Sequence, residues 1–454
     1  MTAICVENYK NNEKVTHGVV LIKGRVKNFD QLRSEIKVST NSQVQNYRLS
    51  KKGQFKALVE LIPDENTIKF EYKNIFFELK LNYEVTSHVK RKIQPIYLLC
   101  RDSPRSSIEI NCQKLLLGCK LAQSLYAEKL FQGTGVRKTF NLADFCEEFT
   151  LEIEETEAQT LSDQDLWQIV GKSLIESRKF DVFNTKFVAF CSFTKYLGLP
   201  KDAEYSYALI KSRTLSNPAL SSGGLALLGT GCLYTWPKNV SEVIEHFLDK
   251  TRIDFTRELD DSNYRCTRGG CFSTTIGSLC HELGHIFDLG HTSDGIMGKD
   301  IDFVGRVFVT ELHTEDLPDR IVGQKPQKLP KTEEKTRFTK INRTPGQFLI
   351  KYHEQKDDDL SFFAQNNLIT LAFHKWFNNN GNEAQTIKFK NGIISSEFQL
   401  KLVELRKCAD EMLIHFWNLT EKEVFEFKLP QEIEICEIIL FVIDAEGNIL
   451  KQKL

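Results

Sequence analysis

His281-Glu282-Leu283-Gly284-His285-Ile286-Phe287-Asp288-Leu289-Gly290-His291, followed by Asp294-Gly295-Ile296-Met297, is the stretch from which the rest of the chain is read. On a helix, His281 and His285 lie one turn apart on the same face, so both imidazoles reach one ion at about 2.0–2.1 Å. Glu282 sits beside that face. Its carboxylate is placed to take a proton from a water rather than to bind a metal. His291 supplies a third nitrogen six residues on, after the helix has ended. Three protein ligands leave a fourth position open, which is the pattern of a catalytic rather than a structural zinc. With ten histidines in 454 residues, a chance His-Glu-x-x-His arises in roughly one such sequence in a hundred, and a correctly spaced third His divides those odds by about fifty. An amphipathic helix with merely solvated histidines is therefore the weaker reading.

These residues resemble the signature of the metzincin metallopeptidases, His-Glu-x-x-His-x-x-Gly-x-x-His followed by a methionine turn. The resemblance implies that His281, His285 and His291 hold one Zn2+, that Glu282 is the general base, and that Met297 lies beneath the metal as a hydrophobic floor. The family glycine falls at position 288, where this chain has Asp288. A turn with positive φ is expected there, and Asp is among the few side chains that tolerate it. A continued helix, with His291 missing the metal, is the alternative. The short path from His291 to Met297 is similar to that of a family of eukaryotic zinc metallopeptidases. That likeness covers about residues 93–377, with its specific motifs confined to 281–298. In metzincins an edge strand borders the cleft and pairs with peptide substrate. Its counterpart here is Leu225, Ala226, Leu227, Leu228 and Gly229; an ordinary strand next to a glycine-rich turn is the equal alternative.

Composition bounds the remainder. The chain is 41% hydrophobic and 27% charged, ordinary globular material long enough for two or three domains. Sixty Lys and Arg stand against 61 Asp and Glu, so the charge balance offers no reason to expect nucleic acid or an acidic membrane surface as partner. No basic-then-apolar leader opens the sequence, and no segment approaches the ~20 apolar residues of a membrane span. Twelve cysteines are scattered without a Cys-x-x-Cys pair. Several, such as Cys191 and Cys436, sit in apolar segments, which suits reduced thiols of the cytoplasm or nucleus. Cys266 and Cys271 read as loop cysteines, or as thiolates that hold an open zinc latent.

Hydrophobic periodicity divides the chain into an α+β multidomain arrangement. Residues 1–88 alternate apolar and polar in short runs, the pattern of an immunoglobulin-like β-sandwich. Residues 89–378 form the expected metzincin-like catalytic domain. In it a buried strand at 93–100, a helix at 108–131, a helix at 163–178, a strand at 187–193 and the zinc helix from Ser273 to Phe287 follow in order. An exposed insertion rich in Lys, Pro, Thr and Glu is expected near 323–357, and a further helix within 360–377. Residues 379–454 turn to strands again and make a β-rich C-terminal module.

The expected activity is hydrolysis of peptide bonds in a protein or peptide substrate, with no nucleic-acid or membrane partner. Two other readings remain open. One is an inactive zinc-binding scaffold, which the presence of Glu282 argues against. The other is a carbohydrate- or protein-binding protein acting through its β modules.

Overall fold

The computed structural model describes residues 2–310, 359 and 361–454, apart from 31–33, 41–42, 87–88, 204, 264, 379–385 and 431–436. The insertion expected near 323–357 and the thiol of Cys436 lie outside the described residues.

The first block holds β1 (Ala3–Val6), β2 (Glu13–Val15), β3 (Val19–Lys27), β4 (Glu35–Ser39), β5 (Val44–Arg48), β6 (Gln54–Glu60), β7 (Asp64–Tyr72) and β8 (Ile75–Tyr83). They form a three-stranded sheet, β1-β3-β6, and a five-stranded sheet, β2-β8-β7-β4-β5. Val20, Ile22, Phe55, Ala57, Ile68, Phe70 and Leu79 fill the space between the sheets. Strict alternation fails in β3, where Val19, Val20, Leu21 and Ile22 are all buried. The reason is a second covered face: Val19, Leu21 and Leu58 join the core of the next block, as expected of a sheet covered on both sides.

That next block is built on β9 (Lys92–Leu99), α1 (Ile108–Thr134), β10 (Glu147–Thr150), α2 (Glu155–Ala158), α3 (Asp163–Glu176), β11 (Thr185–Cys191), β12 (Lys195–Tyr196), α4 (Tyr207–Ser212), β13 (Thr214–Leu215), β14 (Ala219–Ser222) and β15 (Leu225–Gly229). Its main sheet has the order β10-β9-β11-β15-β14. Every pairing in it is parallel except that of β14 with β15. Helix α1 covers one face, and α3 covers the other through Leu166, Val170 and Leu174. Strands buried on both faces read as continuous apolar runs, hence the unbroken burial of Ile93–Leu99.

One expectation is corrected here. Leu225–Gly229 is not an edge strand, because β15 pairs with β11 on one side and with β14 on the other. A hairpin turning at Gly223, φ 60°, places Ala219–Ser222 at the edge. The run Leu225–Leu228 is apolar because it is interior, so apolarity pointed to the wrong strand of the pair.

After β15 come α5 (Val243–Phe247), α6 (Arg268–Ile286) and α7 (Gly305–Phe308), and beyond residue 359, α8 (Gln365–Phe373). The last block contains β16 (Lys388–Lys390), β17 (Ile393–Ser395), β18 (Leu400–Lys407), β19 (Leu413–Asn418), β20 (Glu426–Lys428), β21 (Ile438–Asp444) and β22 (Ile449–Lys453). Sheets β16-β17-β20 and β19-β18-β21-β22 enclose a small core. The outer face of the larger sheet packs Leu402, Phe441 and Ile443 on Ile369 and Phe373 of α8. The whole is a mixed α/β chain with several sheets.

Candidate metal centre

Helix α6 starts earlier than its apolar pattern suggests. Thr267 caps it by accepting the Gly270 N–H at 3.1 Å, and the first turn contains Gly269 and Gly270. These glycines read as loop residues in sequence. They lie within the helix, and position 269 has no side chain because a Cβ there would stand 2.4 Å from the Phe247 carbonyl oxygen. Ile276, Leu279, Cys280, Leu283 and, just past the helix, Phe287 are fully buried. Tyr126 of α1 donates to the Cys280 carbonyl at 2.7 Å and stacks edge-on to Phe287, fixing the helix against α1.

The helix ends just before the third candidate ligand. Asp288 has φ 63°, its N–H donates to the His285 carbonyl at 2.9 Å, and the Leu289 N–H donates to the Gly284 carbonyl at 3.0 Å. This is a Schellman ending with Asp in the left-handed position usually taken by Gly. The Asp288 carboxylate accepts from His374 Nε2 at 3.3 Å and lies 4.0 Å from Lys186 Nζ. Burial alone would raise its pKa; the His374 hydrogen bond and the Lys186 ammonium reverse this and hold it well below the usual carboxylate range. Lys186 also donates to the Ile286 carbonyl, a cation at the negative end of the helix.

His281, His285 and His291 converge. Their Nε2 atoms lie 3.1, 3.1 and 3.3 Å apart, and they are the one group of three or more potential metal ligands among the described residues. Ligand atoms of a tetrahedral zinc at 2.0–2.1 Å stand about 3.3 Å from one another, so the donor set fits that ion. Each ring gives its other nitrogen to a main-chain carbonyl: His281 Nδ1 to Ile296 at 2.7 Å, His285 Nδ1 to Leu289 at 3.0 Å, and His291 Nδ1 to Asp410 at 2.5 Å. An Nδ1–H donated to a carbonyl leaves the Nε2 lone pair free for a metal. Burial, and then the His291 ring, push the His281 pKa down to about 4; burial, then the His281 and His291 rings, push that of His285 well below its usual value. Neutral imidazoles are the ligand form.

Glu282 is not part of that group of nitrogens; its carboxylate accepts from Ser221 Oγ on the edge strand β14. Burial raises its pKa to about 7, with the Ser221 bond opposing the rise. Met297 is fully buried and lies against Gly284. Its carbonyl accepts from the Thr292 N–H at 3.0 Å, closing the turn that presents the Ile296 carbonyl to His281. His246 lies elsewhere, with Nδ1 on the Thr235 carbonyl at 2.7 Å. Cys271 is buried three helical turns before His281, its thiol against Cys232. Ten residues of helix put it roughly 15 Å from the ligands, so it does not reach the metal site. Cys266 stands by Tyr205 and Asp260.

Residues not singled out from sequence complete the site: Ser221 on Glu282, His374 and Lys186 on Asp288, and the turn 408–412 on His291. Ser, Lys and main-chain carbonyls are too common to mark themselves in a sequence. The His374 side chain carried the one signal available, a scarce residue type on an otherwise apolar segment.

The model of a family described as "Putative peptidase family" matches residues 3–394. "Putative zinc metalloproteinase YIL108W" of Saccharomyces cerevisiae is 24% identical over 324 residues, covering 62% of this chain and 45% of that protein. "Putative zinc metalloproteinase C607.06c" of Schizosaccharomyces pombe is 24% identical over 336 residues, covering 68% and 54%. The chain thus spans about half the length of these curated relatives. Among solved structures, OgpA from Akkermansia muciniphila aligns with 80% of this chain and 92% of its own at 13% identity, with a TM-score of 0.42. That likeness is too loose to carry an argument.

Proposed function

We propose, from the premise that this chain belongs to the "Putative peptidase family", that it is a metzincin-type zinc metallopeptidase with Glu282 as general base. The observation that carries the reading is the convergence of three Nε2 atoms within 3.3 Å beside a buried carboxylate that does not join them. His281, His285 and His291 would hold the zinc, which supplies Lewis acidity toward a water and the scissile carbonyl. Glu282 takes the proton from the attacking water and passes it to the leaving nitrogen. A carboxylate whose pKa is raised toward 7 suits both halves of that transfer. Ser221 holds the carboxylate in place.

The substrate is a protein or peptide. Strand β14 pairs on one side only, with β15, among the described residues, and its free side offers main-chain groups to an extended peptide. A cavity of about 650 Å³ adjoins it, with Ala219 of β14 and Ser278 of α6 in its wall. Ser278 precedes Glu282 by one turn on the same helix face, so the cavity is placed to take a substrate side chain near the scissile bond. A carbohydrate or protein ligand at the C-terminal module is a separate proposal, tested by glycan and pull-down binding to the full chain.

Elemental analysis of purified wild type, Glu282→Gln and His291→Ala, with peptide-library cleavage, tests the reading. Wild type and Glu282→Gln should carry one zinc, and only wild type should cleave. Zinc-loaded wild type that cleaves no member of a broad library would favour the scaffold instead.

A further inference from the structure

The three candidate ligands are not supported alike. His281 and His285 take their Nδ1 acceptors, Ile296 and Leu289, from the same local segment. His291 takes its acceptor, the Asp410 carbonyl, from the C-terminal β module, 119 residues away. Its main chain is held there too. The His291 N–H donates to the Glu411 carbonyl at 3.1 Å, and the Leu413 N–H donates to the His291 carbonyl at 2.9 Å, giving a parallel bridge between His291 and Met412.

The turn that makes these contacts is itself restrained. Glu411 has φ 53°, a left-handed conformation that costs a non-glycine residue about 1–2 kcal/mol and persists only where its surroundings impose it. Arg406, at 0% exposure, donates from Nε to Glu404 at 2.6 Å and from Nη1 to Glu411 at 3.2 Å, with its guanidinium 4.0 Å over the Phe441 ring. Glu404 in turn accepts from Asn366 of α8 at 2.9 Å, and Lys451 reaches Glu411 at 2.7 Å. Gly290 lets the two segments meet: a Cβ there would stand 2.8 Å from both Arg406 Nε and the Glu411 carbonyl oxygen.

We infer that the Cys408–Met412 turn of the C-terminal module is a working part of the metal centre, fixing the ring and tautomer of His291, with Arg406 as the positioning residue behind it. The inference rests on the zinc reading above. His291 follows the helix on irregular backbone, so no regular hydrogen-bond ladder of its own block holds it. The contact from the C-terminal module supplies that restraint. The family match ends at residue 394, so every partner of His291 named here lies beyond the matched region. The module is then not a detachable accessory; displacing it weakens the third ligand while leaving the first two intact.

Zinc affinity of the full chain, measured by competition with a chromophoric chelator, tests this without recourse to activity. Two variants approach the contact from opposite sides. Gly290→Ala pushes the turn away from the ligand segment. Arg406→Met with Glu404→Gln replaces the buried pair while changing no residue between 281 and 297. Each should bind zinc about 10–100-fold more weakly, and the visible absorption of the cobalt-loaded protein should report an altered ligand set. Circular dichroism of the metal-free proteins identifies a variant that has failed to fold, in which case the other decides. Wild-type affinity and an unchanged cobalt spectrum in a folded variant would overturn the inference alone. Absence of zinc binding in wild type would overturn the zinc reading with it.

Discussion

Gly284 and Met297 are in direct contact: a Cβ at Gly284 would stand 2.2 Å from the Met297 sulfur. The glycine within the His-Glu-x-x-His span therefore exists for the methionine below it. Gly284→Ala must displace Met297, and overpacking of this kind costs about 1–3 kcal/mol. Met297→Ala leaves a void and costs about 2–5 kcal/mol, whereas Met297→Leu costs less than about 1.5. Urea unfolding of the three metal-free variants should show that order, with Leu mildest.

Ser221 steadies Glu282 of α6 from strand β14. Ser221→Ala removes one hydrogen bond, worth about 1 kcal/mol, so kcat should fall about three- to tenfold while zinc content stays at the wild-type value. A loss of zinc in this variant would show instead that Ser221 supports the fold of the site.

Asp288→Asn keeps a side chain that tolerates the left-handed position but removes the charge facing His374 and Lys186. The Asp288 pKa is depressed in the folded protein. Its stabilisation is therefore present above the unfolded value of about 3.9 and is lost as pH falls through the lower folded value. Asp288 is partly exposed, so screening limits the gain to about 1 kcal/mol. Asp288→Asn should melt below wild type at pH 7, and the gap should narrow only below the unfolded value of about 3.9 and close once pH is under the depressed folded value.

His17 lies buried by Arg137 and Glu128, where the first β block meets α1. Burial, and then the Arg137 charge, push its pKa from 6.5 down to about 3. The folded protein thus binds fewer protons than the unfolded chain between those values. Stability is full above pH 6.5 and falls by up to about 1.4 kcal/mol per unit as pH drops toward 3. Chemical unfolding of His17→Gln should lack this component of acid sensitivity; an unchanged pH slope would place the titration elsewhere.

Arg137 joins the same two blocks. It pairs with Glu13 of β2 at 3.1 Å and with Glu128 of α1 at 3.0 Å, and stacks 3.9 Å over Tyr9. Arg137→Ala leaves Glu128 at 2% side-chain exposure with one fewer cation and should cost about 3–5 kcal/mol. Limited proteolysis should then cut first between the first block and β9.

Much of the site was legible because its chemistry is local. His281 and His285 meet through the helical repeat, and Met297 follows in a short turn. Asp288 at the glycine position was readable as a left-handed turn, and the Schellman bonds place it there. The edge strand was misread because Leu225–Leu228 is apolar for the reason that it is interior, and position within a sheet is not a property of one strand. The helix start was misread because Gly269 and Gly270 look like a loop until Phe247 and Arg265 are packed against them.

By itself, the sequence determined the candidate ligand types, their spacing, the proposed general base and the alternation of strand and helix, since these depend on contacts a few residues apart. Tertiary structure alone decided which strand borders the cleft, that Ser221 meets Glu282, and that the third histidine is held by Asp410 and Glu411. Those contacts join backbone atoms or commonplace side chains across 61 to 120 residues. A main-chain carbonyl is the same at every position, so only the packing of the C-terminal sheet against α8 selects the one that reaches His291.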